Sequence, residues 1–321
     1  MFNTVVTAKM ARKLALDSVF MEVKDRDQEF AWHMRKISEN IEARRLGGGV
    51  KQCALVIIGA SGSGKSKLLS HHLKQFPRFG AFECGQYVEG SRSLWIEAPG
   101  VCNTKSFAIA LLWAIGIRAR SATPEFELYH ILKYNLMKLG IECVIVDEMQ
   151  HVVRGAQEAK IKKVQDVLKS LLQIDDWPIH FILAGTADVK NFLEGDRQLA
   201  NRCRVMRLLP VPLNGGTPFV DRVINEILVK KAGLKIGWTN SDNVQGRLIK
   251  ASSEAMGTLI SIVREACFLA IDEDRDTVTV NDFAQVYRVN TGCVKNDNIF
   301  TAAAWETLKP SKAVSDLFTS E

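Results

Sequence analysis

The chain has 321 residues, 47% hydrophobic and 24% charged, which excludes a disordered or fibrous protein and leaves one large globular domain or two smaller ones. Its seven cysteines are scattered with no CxxC pair, which excludes a disulfide framework or a cysteine zinc site and reads as reduced thiols in a cytoplasmic protein. No apolar run is long enough for a bilayer and no signal-peptide stretch opens the chain, so no membrane partner is expected; the net charge of +6 suits a polyanionic partner without requiring one.

In chain order, Lys9, Arg12 and Lys13 followed by Leu14, Leu16, Val19 and Phe20 predict a basic, loosely amphipathic helix or arm. Phe30, Met34, Ile37 and Ile41 recur at helical spacing and predict a second helix. Arg44-Arg45 suit its C-terminal dipole, and Gly47-Gly48-Gly49 ends it. Cys53–Ile58 is a short apolar run rich in β-branched residues, the pattern of a buried parallel strand. The same pattern recurs at Leu94–Ile96, Cys143–Val146 and Ile179–Leu183, with helical stretches at Thr104–Ile115, Pro124–Leu139 and Gln157–Gln173 between them. Strands alternating with helices predict an α/β fold, a parallel sheet with helices on both faces. From about Thr217 the patterns are mainly helical: Phe219–Lys231, Asn243–Ser252, Thr258–Ile271 and Asn281–Tyr287, with a short extended piece at Thr277–Val280. The stretch from Thr291 has Pro310 and little periodicity and is expected to be a mobile tail. The expected organisation is a helical, basic segment (1–46), a P-loop core (47–212), a small helical domain (213–290) and a tail (291–321).

The decisive motif follows the first strand: Gly59-Ala60-Ser61-Gly62-Ser63-Gly64-Lys65-Ser66 fits GxxxxGK[ST] at every fixed position. Its glycines let successive backbone N–H groups turn inward onto phosphate oxygens, and the helix beginning near Lys65 directs its positive dipole end at the same anion. Lys65 is expected to reach the β- and γ-phosphates of ATP, and the Ser66 hydroxyl to ligate Mg2+.

A second motif, Val144-Ile145-Val146-Asp147-Glu148, ends an apolar strand in two acids. Asp147 is placed to hold magnesium, and Glu148 to orient or deprotonate an attacking water. Adjacent acids here point to ATP hydrolysis more than to phosphoryl transfer onto a substrate. After the fourth strand, Thr186 is a candidate to sense the γ-phosphate, with a plain Gly-Thr turn as the alternative. Arg202 closes a predicted helix, where an arginine can reach a neighbouring subunit's ATP, with a solvated or ion-paired arginine as the alternative. No NKxD-like element follows a later strand, which favours adenine over guanine.

With these motifs in this order the chain resembles the AAA+ ATPases, and more narrowly the transposition regulators of the TniB/TnsC group, with the phage Mu B protein and IstB as more distant relatives. Asp147-Glu148-Met149-Gln150-His151, close to that group's DE-x-QH pattern, carries the resemblance, together with Leu183–Ala187, Gln198–Arg202 and Ile96-Glu97-Ala98-Pro99 followed by Thr104-Lys105. The resemblance implies an AAA+ P-loop NTPase with a C-terminal helical lid. It also implies an ATP-dependent regulator that oligomerises as a ring or filament on double-stranded DNA without sequence specificity. Such a regulator recruits or stimulates a DDE transposase, works with a target-selection protein, and is dispersed by ATP hydrolysis. By the same resemblance, Arg202 matches the arginine finger and Thr186 the first sensor. Lys105, and less strongly Arg118 and Arg120, are candidates to contact DNA phosphates, with a solvated surface charge as the alternative for each.

One departure concerns the second sensor, an arginine expected three residues after a helix-starting glycine. Gly257-Thr258-Leu259-Ile260 puts isoleucine there, and Arg264 lies one turn further on. Two other readings compete: another AAA+ switch, such as a helicase loader or initiator, and a small-molecule P-loop kinase. The first often carries a winged helix or a zinc site, neither of which is legible; the second needs an acceptor-binding element and a flexible basic lid in place of Glu148's water-positioning geometry.

Overall fold

The computed structural model describes residues 2–48, 54–100, 102–154, 156–174, 177, 179–194 and 196–310, with side chains from Thr7 onward. Gly49, Cys53 and residues 311–321 of the expected tail lie outside the described residues. The elements run α1 (Phe2–Asp17), α2 (Lys24–Arg45), β1 (Ala54–Ile58), α3 (Lys65–Leu73), β2 (Ser93–Glu97), α4 (Thr104–Ala114), α5 (Glu125–Lys138), β3 (Cys143–Asp147) and α6 (Gln150–Val153). They continue through α7 (Glu158–Leu171), β4 (His180–Gly185), α8 (Val189–Glu194), α9 (Arg197–Ala200), β5 (Cys203–Arg207), α10 (Thr217–Val223, running on as a π-helix over Ile224–Lys231) and β6 (Lys235–Ile236). Last come α11 (Val244–Ala251), α12 (Met256–Asp272), β7 (Thr277–Val278) and α13 (Val280–Thr291). Two units emerge: Glu22–Ser61 with Lys65–Leu208, and the N-terminal residues to Met21 with Gly62–Gly64 and the chain from Leu209 onward.

The first unit is built on a parallel sheet of order β2-β3-β4-β1-β5. The apolar, β-branched runs read from the sequence become its central strands because both faces are covered: Leu55, Val56, Ile57, Val144, Ile145, Ile182 and Leu183 are at most 2% exposed. Phe107 and Leu111 of α4, Leu128, Leu132 and Leu136 of α5, and Leu168 and Leu171 of α7 pack into this core. Each such side chain contributes roughly 2 kcal/mol of burial. The order places β4 between β3 and β1, so the residues that follow these three strands emerge side by side at one edge of the sheet.

Strand β5 was not expected. It pairs only with β1, Ala54 opposite Cys203 and Ile58 opposite Arg207, and of its five residues only Met206 is buried. A half-covered edge strand carrying Arg204 and Arg207 lacks the apolar run that marks an inner strand. Arg204 instead lays its guanidinium 5.3 Å from the centre of the Trp32 ring.

Just ahead of β3, at the ends of the strands away from the phosphate loop, Glu142 is fully buried. Arg45 donates to its carboxylate, as do Arg78 at 3.0 Å and Arg92 at 3.3 Å. A buried carboxylate is tolerable only when paired in this way, and the cluster ties α2 and the Pro77–Phe79 turn to the sheet.

In the second unit, α1 packs against α12. Lys9 bonds Asp274 at 2.7 Å, Lys13 bonds Asp272 at 2.6 Å, and Arg12 donates to the Ala232 carbonyl at 3.0 Å. The basic N-terminal segment is therefore a helix whose charges are used inside the protein, and residues up to Met21 group with this unit. The extended Thr277–Val278 pairs in parallel with Lys235–Ile236. The stretch after Thr291, expected as a mobile tail, is partly packed: Ile299, Phe300 and Trp305 are buried. Phe300 stacks on Phe283 with 5.5 Å between centroids, and Arg247 donates to the carbonyls of Ile299 at 2.5 Å and Ala302 at 3.0 Å. Those contacts join residues far apart in sequence, so periodicity alone does not reveal them.

Candidate nucleotide-binding site

The loop between β1 and α3 turns through Gly62 (φ +72°) and Gly64 (φ +91°), a left-handed conformation that glycine adopts without steric cost. At the loop's base Gly59 donates its N–H to Gly185 O at 3.1 Å. Lys65, the first residue of α3, is only 5% exposed and donates its ammonium to Gly59 O at 2.9 Å and Ala60 O at 3.0 Å. Burial pushes this lysine below its ordinary pKa, while the charges of Asp147 and Glu148 oppose the shift. Among the described residues, Ser63 Oγ is buried without a hydrogen-bond partner, a polar atom that an oxygen-rich ligand would satisfy. A buried cation, turned-in glycines and an orphaned hydroxyl fit a polyphosphate.

Asp147 ends β3, opposite Glu97 of β2, and is 3% exposed. Ser66 Oγ donates to Asp147 Oδ2 at 2.5 Å, and the Glu148 N–H donates to Asp147 Oδ1 at 2.9 Å. A hydroxyl and a carboxylate in contact form a hard-oxygen pair, the donor set magnesium takes when phosphates complete its shell. Among the described residues no group of three or more His, Cys, Asp or Glu is arranged to hold a metal by protein ligands alone. An open pocket of about 380 Å³ borders Ser66 and Asp147, with Lys67, Ser70, Lys74 and Trp95 in its wall.

Glu148 has φ +55°, uncommon for a residue with a side chain and a reservoir of backbone strain. Its carboxylate accepts from the Gln150 amide, and the Gln150 carbonyl in turn accepts the Thr186 N–H at 3.1 Å. Thr186 directly follows β4, beside β3 and β1, and its hydroxyl donates to Asp188 at 3.2 Å. The structure thus gathers Lys65, Ser66, Asp147, Glu148 and Thr186 at one edge of the sheet. Gln150 had no role assigned from the sequence beyond its place in the DE-x-QH pattern; that pattern was the signal.

Other candidates stand apart. Arg202 precedes β5 and its carbonyl accepts from Ala54 N–H, at the strand ends remote from the loop, about 16 Å away at ~3.3 Å per strand residue. Within the second unit, Arg264 Nη2 donates to Val19 O at 2.5 Å, and Ile260 is buried in α12. Lys105 lies in the first turn of α4, which Asn103 and Ser106 cap reciprocally. Arg118 and Arg120 are exposed and line an open pocket of about 1090 Å³ with Tyr87 and Trp113, the latter 61% exposed. Among the described residues no helix is long and apolar enough to cross a membrane.

The Aeropyrum pernix ORC1 protein, solved in complex with DNA, is similar over 89% of this chain and 70% of its own, with a TM-score of 0.57 and 13% identity. The Aeropyrum pernix ORC2 protein, solved as ADPNP–ADP complexes, is similar over 86% of this chain and 71% of its own, with a TM-score of 0.54 and 16% identity. At such identities the likeness is one of fold. A search of curated proteins gives no match. The family model described as "Bacterial TniB protein" matches residues 33–211, more than half of the chain and all of the sheet with its phosphate loop. The fold is that of the AAA+ P-loop NTPases, and the chain belongs to the bacterial TniB protein family.

Proposed function

We propose that this chain is a magnesium-dependent ATPase that regulates DNA transposition. It oligomerises on double-stranded DNA without reading sequence and recruits or activates a DDE transposase there, in concert with a target-selection protein. ATP hydrolysis takes the assembly apart, and the protein acts in the cytoplasm. The observation that carries this reading is the Ser66–Asp147 contact beside buried Lys65, with Glu148 next in the chain; membership of the TniB family supports the transposition role.

In this reading the amides of Gly59–Ser66 and the Lys65 ammonium bind the phosphates, and Ser66 and Asp147 hold magnesium. Bound Mg-ATP supplies the bond to be broken and neutralises charge on the phosphates. Glu148 orients and deprotonates water, and Thr186 senses the γ-phosphate. Arg202, remote from its own loop, serves the site of a neighbouring copy. Lys105, Arg118 and Arg120 provide phosphate contacts, which need only positive charge. The ATPase core is proposed to span 47–212 and the helical lid 213–290.

The test is negative-stain imaging with a slowly hydrolysed ATP analogue, with and without duplex DNA. Rings or filaments on the duplex, lost when hydrolysable ATP is supplied, are expected. Dispersed monomers under every condition would sink the proposal.

A further inference from the structure

Gln150 is 4% exposed and both polar ends of its side chain are engaged. The amide NH2 donates to the Glu148 carboxylate, and the carbonyl accepts the Thr186 N–H at 3.1 Å. A primary amide suits this place because it presents a donor and an acceptor on one planar group. The neighbouring backbone leaves room for it: a Cβ at Gly185 would lie 2.9 Å from Gln150 Oε1 and 2.5 Å from a Val189 methyl.

The rest of α6 reinforces the link. At its C-terminal end Arg154 Nε donates to Asp188 Oδ2 at 2.8 Å, and the same oxygen accepts the Thr186 hydroxyl at 3.2 Å. On the other flank, His151 Nδ1 lies 3.0 Å from Ala98 O, just past β2. The short helix is therefore fastened at both ends to the turn that follows β4, and at its side to the segment that follows β2. Glu148, in its left-handed conformation, lies one residue ahead of the N-cap of α6, Met149.

We infer that Gln150 is a positioning residue for hydrolysis: it holds the Glu148 carboxylate and couples it to the Thr186 turn, so that the state of the turn reaches the base through one side chain. This inference rests on Glu148 acting as the base proposed above. The coupling is physical and local. A displacement of the Thr186 N–H pulls on the amide carbonyl, and the amide is rigid, so its NH2 and the carboxylate it holds must follow.

The experiment compares Gln150→Glu and Gln150→Met with the parent protein, measuring ATP affinity by fluorescent-analogue titration and kcat by phosphate release. Gln150→Glu keeps shape and length but turns the donor facing Glu148 into an acceptor; Gln150→Met keeps bulk alone. Both are expected to lower kcat about tenfold or more, the range of a misplaced general base, with ATP affinity within about twofold of the parent. A wild-type kcat in Gln150→Glu would overturn the inference, because shape alone would then suffice. Parallel loss of ATP binding and kcat in both variants would overturn it in favour of a structural role. A Glu148→Gln control separates the two levels: if that variant hydrolyses normally, the base assignment itself fails. If it is slow while Gln150→Glu is normal, only the positioning role fails.

Discussion

The Ser66 hydroxyl donates to the Asp147 carboxylate across 2.5 Å, joining the end of the phosphate loop to the end of β3, 81 residues further along the chain. Two hard oxygen donors in contact beside a buried ammonium form an electrostatic centre that the sheet imposes, because parallel strands carry both residues to the same edge.

Lys65→Ala removes the buried cation. It is expected to weaken ATP binding on the order of 100-fold, the equivalent of about 3 kcal/mol for a lost charge-assisted contact. Fluorescent-nucleotide titration reads this directly, and micromolar affinity retained in the variant would count against the site.

Glu148→Gln keeps the shape of the proposed base and removes its ability to take a proton. Nucleotide affinity is expected to stay near the parent's while phosphate release slows by roughly 10²–10⁴. Oligomers on DNA should then persist for as long as ATP is present. Prompt disassembly of the variant on duplex DNA would contradict this role.

DNA affinity should fall steeply with salt, because neutralised phosphates release counterions at a slope of about 0.9 per contact. Replacing Lys105, Arg118 or Arg120 with Ala is expected to reduce that slope by about one each and to weaken all sequences alike. A flat salt response, or unchanged slopes in all three variants, would remove these residues from the interface.

Asp27 links α2 to α3, the helix of the phosphate loop. Its carboxylate lies 3.2 Å from His72 Nε2 and 2.7 Å from Arg26 Nε. Burial works to raise its pKa, yet hydrogen bonds from His72, Arg26 and the Val23 N–H outweigh burial and hold it at about 2, against an ordinary 3.8. The folded value is the lower one, so the unfolded chain takes up the proton first as pH falls. Asp27 therefore contributes fully above about pH 4, and its contribution drains away toward pH 2. Urea midpoints should drop more steeply through this window in the parent than in Asp27→Asn; identical slopes would show that the linkage is absent.

Gly185→Ala would force a methyl to within 2.5 Å of Val189 Cγ2 and 2.9 Å of Gln150 Oε1. Overpacking of this kind costs about 1–3 kcal/mol. A thermal melt should register the loss, and an unchanged midpoint would mean that α6 and the β4 turn yield more easily than their contacts indicate.

The sequence by itself determined the inner strands, the phosphate loop and the acidic pair, because each is a local pattern. An apolar run buried on both faces needs no partner to be recognised, and the glycine spacing of the loop is dictated by the backbone turn it makes. Gln150 stood in plain view within a motif, but its two hydrogen bonds join residues 148 and 186, a pairing that exists only once β3 and β4 lie side by side. Tertiary structure likewise decided the edge strand β5, whose arginines hide its strand character. It decided the three arginines on Glu142, the docking of α1 through Lys9 and Lys13, and the engagement of Arg264 by Val19. In each case the energy lies in contacts between residues distant in sequence, which periodicity and spacing do not encode.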